Sequence, residues 1–425
     1  MTRHPTSNPD APTSYIHSLI PHQNIVLVTD WITKIGGGEK VVEAFHRIYP
    51  DAPIYTSYCN NHWRERLDGK VVTGYLQHWP FSALRRFLPV LRQHWFSHLD
   101  LSDYDIIISI TGNGEAKFVR PDYISLKKRL LRLLRLSPST SLYLHPTSTP
   151  HTPLHISYCH TPVHFYWAQY DEYVKNPSMS PKWLARLGLK LLVKPLRKRD
   201  FAAAQKINAF IANSSAIQKD IATYYKREST VINPPINTDD FVHISTRAEI
   251  SISKRPQCIW WGRVVPAKRL DIAVTACSEL GWPLTIIGDG PDLARLQSLA
   301  GPTVHFLGYI PDEERNNYIA KADLFLFPSK EDFGVAPVEA LAAGLPVLAY
   351  REGGALDYIV EGENGAFFSN QTAASLIKSL ISIVGLVYDT QVISESVNRF
   401  SSVSFQKKIR TFVHENTNIT KRHSD

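Results

Sequence analysis

The chain has 425 residues, of which 44% are hydrophobic and 20% are charged. This length exceeds one ordinary hydrophobic core and predicts at least two domains, while the composition excludes disordered and fibrous classes. No apolar run approaches the roughly 20 residues that span a bilayer, and residues 1–24 lack the apolar core of a signal peptide. We therefore expect a cytoplasmic protein, and the formal net charge of +8 indicates an anionic partner.

Neither the cysteines nor the paired aspartates predict a metal site. The four cysteines are far apart in the sequence and are expected to be buried free thiols: Cys59, Cys159, Cys258 and Cys277. Asp103 and Asp105 form an Asp-x-Asp pair that could hold a divalent ion, but they directly precede an apolar strand, where aspartate commonly ends a turn. We expect no metal and no cofactor.

The first element after a loose tail over residues 1–23 is a strand followed by glycines. An apolar run over residues 25–28 leads into Gly36, Gly37 and Gly38, and an amphipathic helix follows. Glycines at such a junction let backbone amides cradle a phosphate, so Gly37 and Gly38 are candidate phosphate-binding residues. The alternative is a plain tight turn. The absence of G-x-G-x-x-G argues against a dinucleotide oxidoreductase.

Two basic amphipathic stretches follow in the first half of the chain. Residues 125–136 alternate Leu with Lys and Arg, and with the Ser/Thr/Pro/His-rich residues 137–153 they form an insertion at about 120–153. Residues 184–199 are the second stretch. Such helices suit an anionic membrane surface, and the alternative is a solvated face packed on the domain. Nucleic acid is not expected, because no binding motif accompanies the charge.

The rest of this half contains a strand that ends at a histidine and, later, two successive prolines. The strand over residues 155–159 ends at His160. His160 and His164 could each simply cap the strand end, and for His164 this is what we expect. Pro234 and Pro235 make a stiff extended connection, so we place the hinge there. The predicted domains are residues 24–234, residues 235–398 and a final segment, 399–425, whose helix crosses back to the first domain.

The second domain opens with a strand that delivers cations into a loop. After residues 258–261 come Arg263, a forked donor, and Lys268, a point charge, which together suit a diphosphate. The strand over residues 284–287 ends at Gly288, Asp289 and Gly290. Strands and helices alternate at short spacing, which predicts a parallel, doubly wound α/β sheet.

The run from Ala322 to Val347 carries the most chemistry. It reads as strand, loop, helix and strand, with Glu331 in the loop and Glu339 inside the helix. Gly334 allows a ligand close to the backbone, and a helix that begins near Ala336 or Pro337 directs free N–H groups at it. A carboxylate beside a helix N-terminus suits a ligand with both hydroxyl and phosphate groups, such as a sugar nucleotide.

This run resembles the signature of family 4 of the retaining glycosyltransferases. The resemblance rests on E-D-F-G-V-A-P-V-E, then G-L-P-V, Gly353-Gly354 and the run from Gly362 to Gly365. It implies the GT-B fold, in which two Rossmann-like doubly wound domains face each other across a cleft. It also implies that Glu331 contacts the donor sugar and Glu339 the nucleotide ribose.

The same resemblance implies roles for the other candidates. Arg263 and Lys268 map onto residues that neutralise the leaving diphosphate, and His160 onto a histidine that faces the donor sugar. The remaining donor-binding candidates are Gly37 and Gly38 beside the diphosphate, Gly288, Asp289 and Gly290 near the base, and Phe333, Gly334 and Val335 at the helix start.

The segment from Tyr158 to Tyr173 is similar to the branch that contains lipopolysaccharide O-antigen mannosyltransferases. The resemblance implies a metal-independent hexosyltransferase that moves mannose from GDP-mannose to a glycan in cell-surface polysaccharide biosynthesis. The basic helices favour a lipid-linked glycan as acceptor and a peripheral position at the inner face of the cell membrane. The alternatives are a UDP-sugar-dependent transferase of the same family and a membrane-associated sugar-nucleotide-binding protein without turnover. An epimerase on the same fold is a third.

Overall fold

The structure, a computed structural model, describes residues 23–130, 152–175 and 181–422, apart from residues 34–35, 86–87, 113, 127, 129, 242–243 and 245–246. The predicted tail, most of the insertion and most of the first basic stretch therefore lie outside the described residues. Within the described part of the chain, no helix is both long and apolar enough to cross a membrane.

The first half of the chain forms a seven-stranded parallel sheet. Its strands are apolar and buried because helices cover both faces, which is why the sequence shows continuous apolar runs here rather than alternation. The strand order is β3-β2-β1-β4-β5-β6-β7. The strands are β1 (Ile25–Thr29), β2 (Ile54–Thr56), β3 (Val71–Val72), β4 (Ile106–Thr111), β5 (Leu154–Cys159), β6 (Ala209–Ala212) and β7 (Thr230–Val231).

The second half forms a six-stranded parallel sheet of the same design. Its order, β11-β10-β9-β12-β13-β14, repeats the pattern of the first sheet, because the first strand of each sheet lies third from one edge. The strands are β9 (Cys258–Trp261), β10 (Leu284–Ile287), β11 (Val304–Gly308), β12 (Leu324–Phe327), β13 (Val347–Tyr350) and β14 (Gly365–Phe368). A small antiparallel ribbon joins β8 (Glu249–Ser251) to β15 (Val387–Asp389).

Helices connect the strands in both halves. Those of the first half are α1 (Gly37–Ile48), α2 (Asn61–Arg66), α3 (Phe81–Leu84), α4 (Pro89–Ser97), α5 (Tyr170–Lys175), α6 (Lys182–Ala204) and α7 (Ser215–Asp220). Those of the second half are α8 (Leu270–Leu280), α9 (Leu293–Leu299), α10 (Asp312–Ile319), α11 (Val335–Ala342), α12 (Ala373–Ser382) and α13 (Thr390–Glu395). In both sheets the order reverses beside the central strand, and ligands bind in the crevice at such switch points.

The final helix, α14 (Ser402–Arg422), returns to the first domain. Its apolar side chains Phe405, Ile409, Phe412 and Val413 belong to the first domain's core. The chain therefore passes between the two domains twice, once at residues 232–236 and once before α14.

Candidate active site

Lys268 and Glu331 form an ion pair in the crevice of the second sheet. Lys268 Nζ lies 2.6 Å from Glu331 Oε1, and both side chains are about one-fifth exposed. Ser329 Oγ donates a 2.8 Å hydrogen bond to the same oxygen. The two residues follow β9 and β12, which are neighbours in the sheet, so their carboxyl ends bring the two loops together. The structure thus joins two candidates that the sequence separates.

The loop that contains Glu331 packs directly against the backbone of two glycines, Gly353 and Gly354. Gly354 N donates a 2.8 Å hydrogen bond to the carbonyl of Glu331. A Cβ on Gly353, whose φ is +73°, would collide with that carbonyl, and one on Gly354 would collide with the Phe333 backbone. The sequence points to these two glycines only through the family resemblance. In the structure they hold the loop that carries Glu331 in place.

Gly334 caps the helix that follows. It has φ +90°, and a Cβ there would lie 2.8 Å from both Phe327 Cζ and Tyr358 Oη. The helix α11 starts at Val335, one or two residues earlier than predicted. Phe333 is 3% exposed and packs its ring against Tyr358, so its side chain belongs to the core. Only the backbone of Phe333 is available to a donor.

Glu339 lies one turn into α11 and is held from both domains. Trp261 Nε1 donates a 3.1 Å hydrogen bond to Glu339 Oε2, and Lys40 Nζ of α1 lies 3.6 Å from Oε1. The start of α1 also reaches the start of α11, because a Cβ on Gly37 would lie 3.5 Å from Val335 Cγ2. Two helix N-termini therefore meet across the cleft, and both favour negative charge there.

His160 lies at the end of β5, on the first domain's side of the cleft. Its amide donates a 2.8 Å hydrogen bond to Thr111 O, and a Cβ on Gly38 would lie 3.8 Å from its Nε2. Burial lowers the pKa of His160 to about 4, although the charges of Asp30 and Asp332 act in the opposite direction. The imidazole is therefore neutral near pH 7. Its Nε2 is buried and has no hydrogen-bond partner among the described residues.

Arg263 and the predicted base-side glycines lie on two loops that interlock. Val264 N donates a 2.9 Å hydrogen bond to Asp289 O. A Cβ on Gly288 would collide with the carbonyl of Gly262, and one on Gly290 with that of Val264. Only glycine permits this approach of the two backbones. The Arg263 side chain itself is exposed, and no ion pair to it occurs within the described ranges.

Asp30, which the sequence analysis missed, organises the loop after β4. Its carboxylate accepts hydrogen bonds from the amides of Gly112 (3.0 Å), Gly114 (3.2 Å) and Ala116 (2.7 Å) and from the hydroxyl of Thr111 (3.3 Å). Asp30 is 3% exposed. A carboxylate directly after the first strand was the available signal, since that strand is central and its end faces the crevice.

Two side-chain contacts between the domains were also not predicted. His164 Nε2 lies 3.1 Å from Asp332 Oδ2, so His164 reaches across the cleft and does not merely cap the end of β5. Asp357 accepts hydrogen bonds from Ser215 N at 2.9 Å and from Asn233 Nδ2 at 3.0 Å. Both contacts depend on residues more than one hundred positions apart, so local patterns contain no signal for them.

The remaining polar candidates have structural partners away from the cleft. Asp103 and Asp105 lie at the amino end of β4, the edge opposite the crevice. Lys128 Nζ is 2.6 Å from Asp103 Oδ2, and Asn24 N donates a 2.9 Å hydrogen bond to Asp105 Oδ2. The four cysteines are buried free thiols, as predicted.

Part of the second domain matches a known family. Residues 244–386 match the model of the family described as glycosyl transferases group 1. A GDP-mannose-dependent alpha-(1-6)-phosphatidylinositol monomannoside mannosyltransferase of Mycolicibacterium smegmatis is 33% identical over 155 residues, which are 31% of this chain and 41% of that protein. A GDP-mannose-dependent alpha-mannosyltransferase of Corynebacterium glutamicum is 36% identical over 105 residues, 24% of this chain and 25% of that protein. These matches span less than half of either relative.

Solved structures resemble nearly the whole chain. Anabaena Alr3699/HepE in complex with UDP superposes with a TM-score of 0.61 at 17% identity, covering 92% of this chain and 100% of that one. The lipopolysaccharide outer core galactosyltransferase WaaB gives a TM-score of 0.59 at 17% identity, covering 93% and 99%. The predicted fold is confirmed: the chain has the GT-B fold, and its second domain carries the segment that matches the glycosyl transferases group 1.

Proposed function

We propose that the protein is a retaining, metal-independent hexosyltransferase of the family 4 type. It moves a mannosyl group from GDP-mannose to a hydroxyl of a glycan or lipid-linked glycan acceptor in cell-surface polysaccharide biosynthesis, with lipopolysaccharide as the favoured product class. The observation that carries the proposal is the Lys268–Glu331 pair at 2.6 Å, set in the crevice of the domain that matches the transferase family.

Charge separation is the difficult step of such a transfer. The anomeric carbon becomes cationic while the nucleotide diphosphate leaves with its negative charge. Lys268 and Arg263 supply cations beside that leaving group, and the N-terminus of α11, which meets that of α1 across the cleft, adds backbone amides. Preorganised charges of this kind often provide the largest share of catalysis. In this proposal they do the work that a metal ion does in other transferases.

The two glutamates position the donor. Lys268 and Ser329 both occupy Glu331 Oε1, which leaves Glu331 Oε2 to accept a sugar hydroxyl. Glu339 accepts from the ribose hydroxyls at the start of α11. Neutral His160 offers to the sugar, from the opposite domain, a buried nitrogen that has no hydrogen-bond partner in the part of the chain that the structure describes. Holding a substrate in reactive geometry in this way lowers the entropic part of the barrier.

The donor assignment rests on named relatives. The curated relatives that match at 33% and 36% identity are GDP-mannose-dependent mannosyltransferases. A UDP-sugar donor is the second candidate, because one solved structure of the same fold was determined with UDP. Gly288, Asp289 and Gly290, with the neighbouring Arg263 loop, are the candidate base and diphosphate contacts under either assignment.

Thermal unfolding with GDP, UDP, ADP and NAD, with and without a divalent metal, tests the donor class first. A nucleotide present at about 100 times its Kd adds roughly 2.7 kcal/mol of stability. GDP should stabilise without metal. Preferential stabilisation by UDP would replace the donor, and stabilisation by NAD alone would overturn the transferase.

Turnover is tested by hydrolysis and transfer of the bound sugar. Wild type should release mannose slowly from GDP-mannose in the presence of a chelator, and Glu331→Ala should not. A protein that binds GDP-mannose without any hydrolysis or transfer would instead be the non-catalytic sugar-nucleotide-binding protein. Product that forms without an acceptor and keeps its nucleotide would indicate an epimerase.

We also propose that the acceptor is presented at an anionic membrane face, where the protein makes a peripheral contact. The charge of +8 and the basic residues of α6 support this part of the proposal.

A further inference from the structure

Helix α6 directs a stripe of large apolar side chains away from the protein. Trp183, Leu187 and Leu191 recur at every fourth position and therefore share one side of the helix. They are 65%, 47% and 67% exposed, and the bordering Leu184 and Leu192 are 51% and 56% exposed. Exposed apolar side chains that cluster in this way mark interaction sites more often than scattered ones do.

The helix is attached to the domain by its other side. Val193, Asp200, Ala203 and Ala204 are its buried residues. Leu191 and Val193 are two positions apart and so about 200° apart around the axis, given 3.6 residues per turn. Leu191 thus points almost opposite to Val193, and Trp183, Leu187 and Leu191 are not among the residues by which α6 packs on the domain.

The charged residues of α6 are all cations up to Asp200, which is buried. Residues 182–199 contain seven Lys or Arg residues and no Asp or Glu. Arg186 donates to the carbonyls of Val174 and Lys175, and Arg197 lies over an aromatic ring of the domain, so these two are engaged. Lys190, Lys194 and Lys198 are exposed and also recur at every fourth position, beside the apolar stripe.

The apolar stripe and the neighbouring cations together favour one kind of partner for this face of α6, a lipid surface. Apolar residues, an interfacial Trp and neighbouring cations without carboxylates suit a surface that is apolar below and anionic above. The charge of the basic stretch earlier in the chain disfavours its packing on this face of α6. Residues 123–170 contain no Asp or Glu that could pair with the lysines of the helix. A second copy would bring the same cations face to face.

We infer that the exposed stripe of α6 docks on the surface of a bilayer that contains anionic lipid. Trp183, Leu187 and Leu191 enter the boundary between headgroups and acyl chains, while Lys190 and Lys194 contact lipid phosphates. The inference rests on the proposed function in one respect only: a docked first domain would bring the cleft to a lipid-linked acceptor.

The test is sedimentation of the full chain with vesicles of phosphatidylcholine, alone or mixed with phosphatidylglycerol. Wild type should bind the mixed vesicles, and high salt should weaken that binding. The double variant L187E/L191E should bind at least about tenfold more weakly, because it places charge where acyl chains would be. The matched control is V392E/V403E, which adds the same charge at exposed positions of α13 and α14.

A second pair of variants separates the apolar and electrostatic parts. K190S/K194S should weaken binding at low salt and reduce its salt dependence, with unfolding and GDP binding unchanged. Equal binding by wild type and L187E/L191E would overturn the inference, as would wild type that binds no anionic vesicle or that buries the stripe by self-association. GDP stabilisation in the same samples shows independently whether the proposed donor site has failed.

Discussion

His164 of the first domain and Asp332 of the second domain meet across the cleft, with His164 Nε2 3.1 Å from Asp332 Oδ2. Asp332 directly follows Glu331, so this contact ties the first domain to the loop that carries the candidate sugar-binding carboxylate. A connection at this point couples the relative position of the two domains to the candidate donor site.

This contact predicts a pH dependence of stability. Burial alone lowers the pKa of His164, but the hydrogen bond to Asp332 and the charges of Asp332 and Asp220 outweigh it and raise the pKa. A raised folded-state pKa stabilises the fold below the unfolded value of about 6.5, and the benefit is lost as pH rises through the folded value. His164→Gln should therefore lower Tm more at about pH 6 than at about pH 9.

The matched control for that experiment is His305→Gln, at an exposed histidine of β11. Its effect on Tm should be small and should not follow the pattern of His164→Gln. A constant Tm difference between wild type and His164→Gln across this pH range would contradict the ion-pair interpretation.

Lys268→Ala should reduce kcat by about 100-fold or more while the protein stays folded, because it removes a preorganised cation beside the leaving diphosphate. Sugar transfer or donor hydrolysis measures the effect. Lys254→Ala, at an exposed lysine of the same domain, should leave kcat unchanged. If Lys268→Ala raised only KM, Lys268 would bind the donor and its transition state equally well.

Gly353→Ala should abolish most donor binding, whereas Gly362→Ala should not. Both glycines have positive φ, +73° and +84°, so both variants share a strain of about 1 kcal/mol. Only at Gly353 would the new Cβ collide with the backbone of Glu331; at Gly362 nothing lies within 4 Å. Tm and nucleotide-dependent stabilisation separate the two effects. Equal loss of donor binding in both variants would contradict the prediction.

Asp30→Asn should destabilise the fold by about 3 kcal/mol, because an amide cannot accept all the hydrogen bonds that the buried carboxylate receives. Amide hydrogen exchange should accelerate at Gly112, Gly114 and Ala116, whose amides donate to Asp30. Asp122→Asn, at a carboxylate that is 61% exposed and paired with Arg120, should change stability little. Unchanged exchange in the loop would mean that Asp30 does not organise it.

The sequence by itself determined the architecture and most of the candidate site. Buried parallel strands produce continuous apolar runs, so a parallel α/β sheet could be predicted from local patterns, and the family resemblance implied its arrangement as two facing domains. Each strand–loop–helix unit also contains its own polar residues at the strand end, which is why Glu331, Glu339, Arg263 and Lys268 could be named as candidates without coordinates.

Only the tertiary structure decided which of these residues meet. The Lys268–Glu331 pair depends on β9 and β12 being neighbours, and the His164–Asp332 contact depends on how the two sheets face each other. The outward direction of the α6 apolar stripe also follows from packing, because periodicity shows that a helix has an apolar side but not which side is buried. Contacts between distant segments arise from the assembly of the whole chain, and no local pattern encodes them.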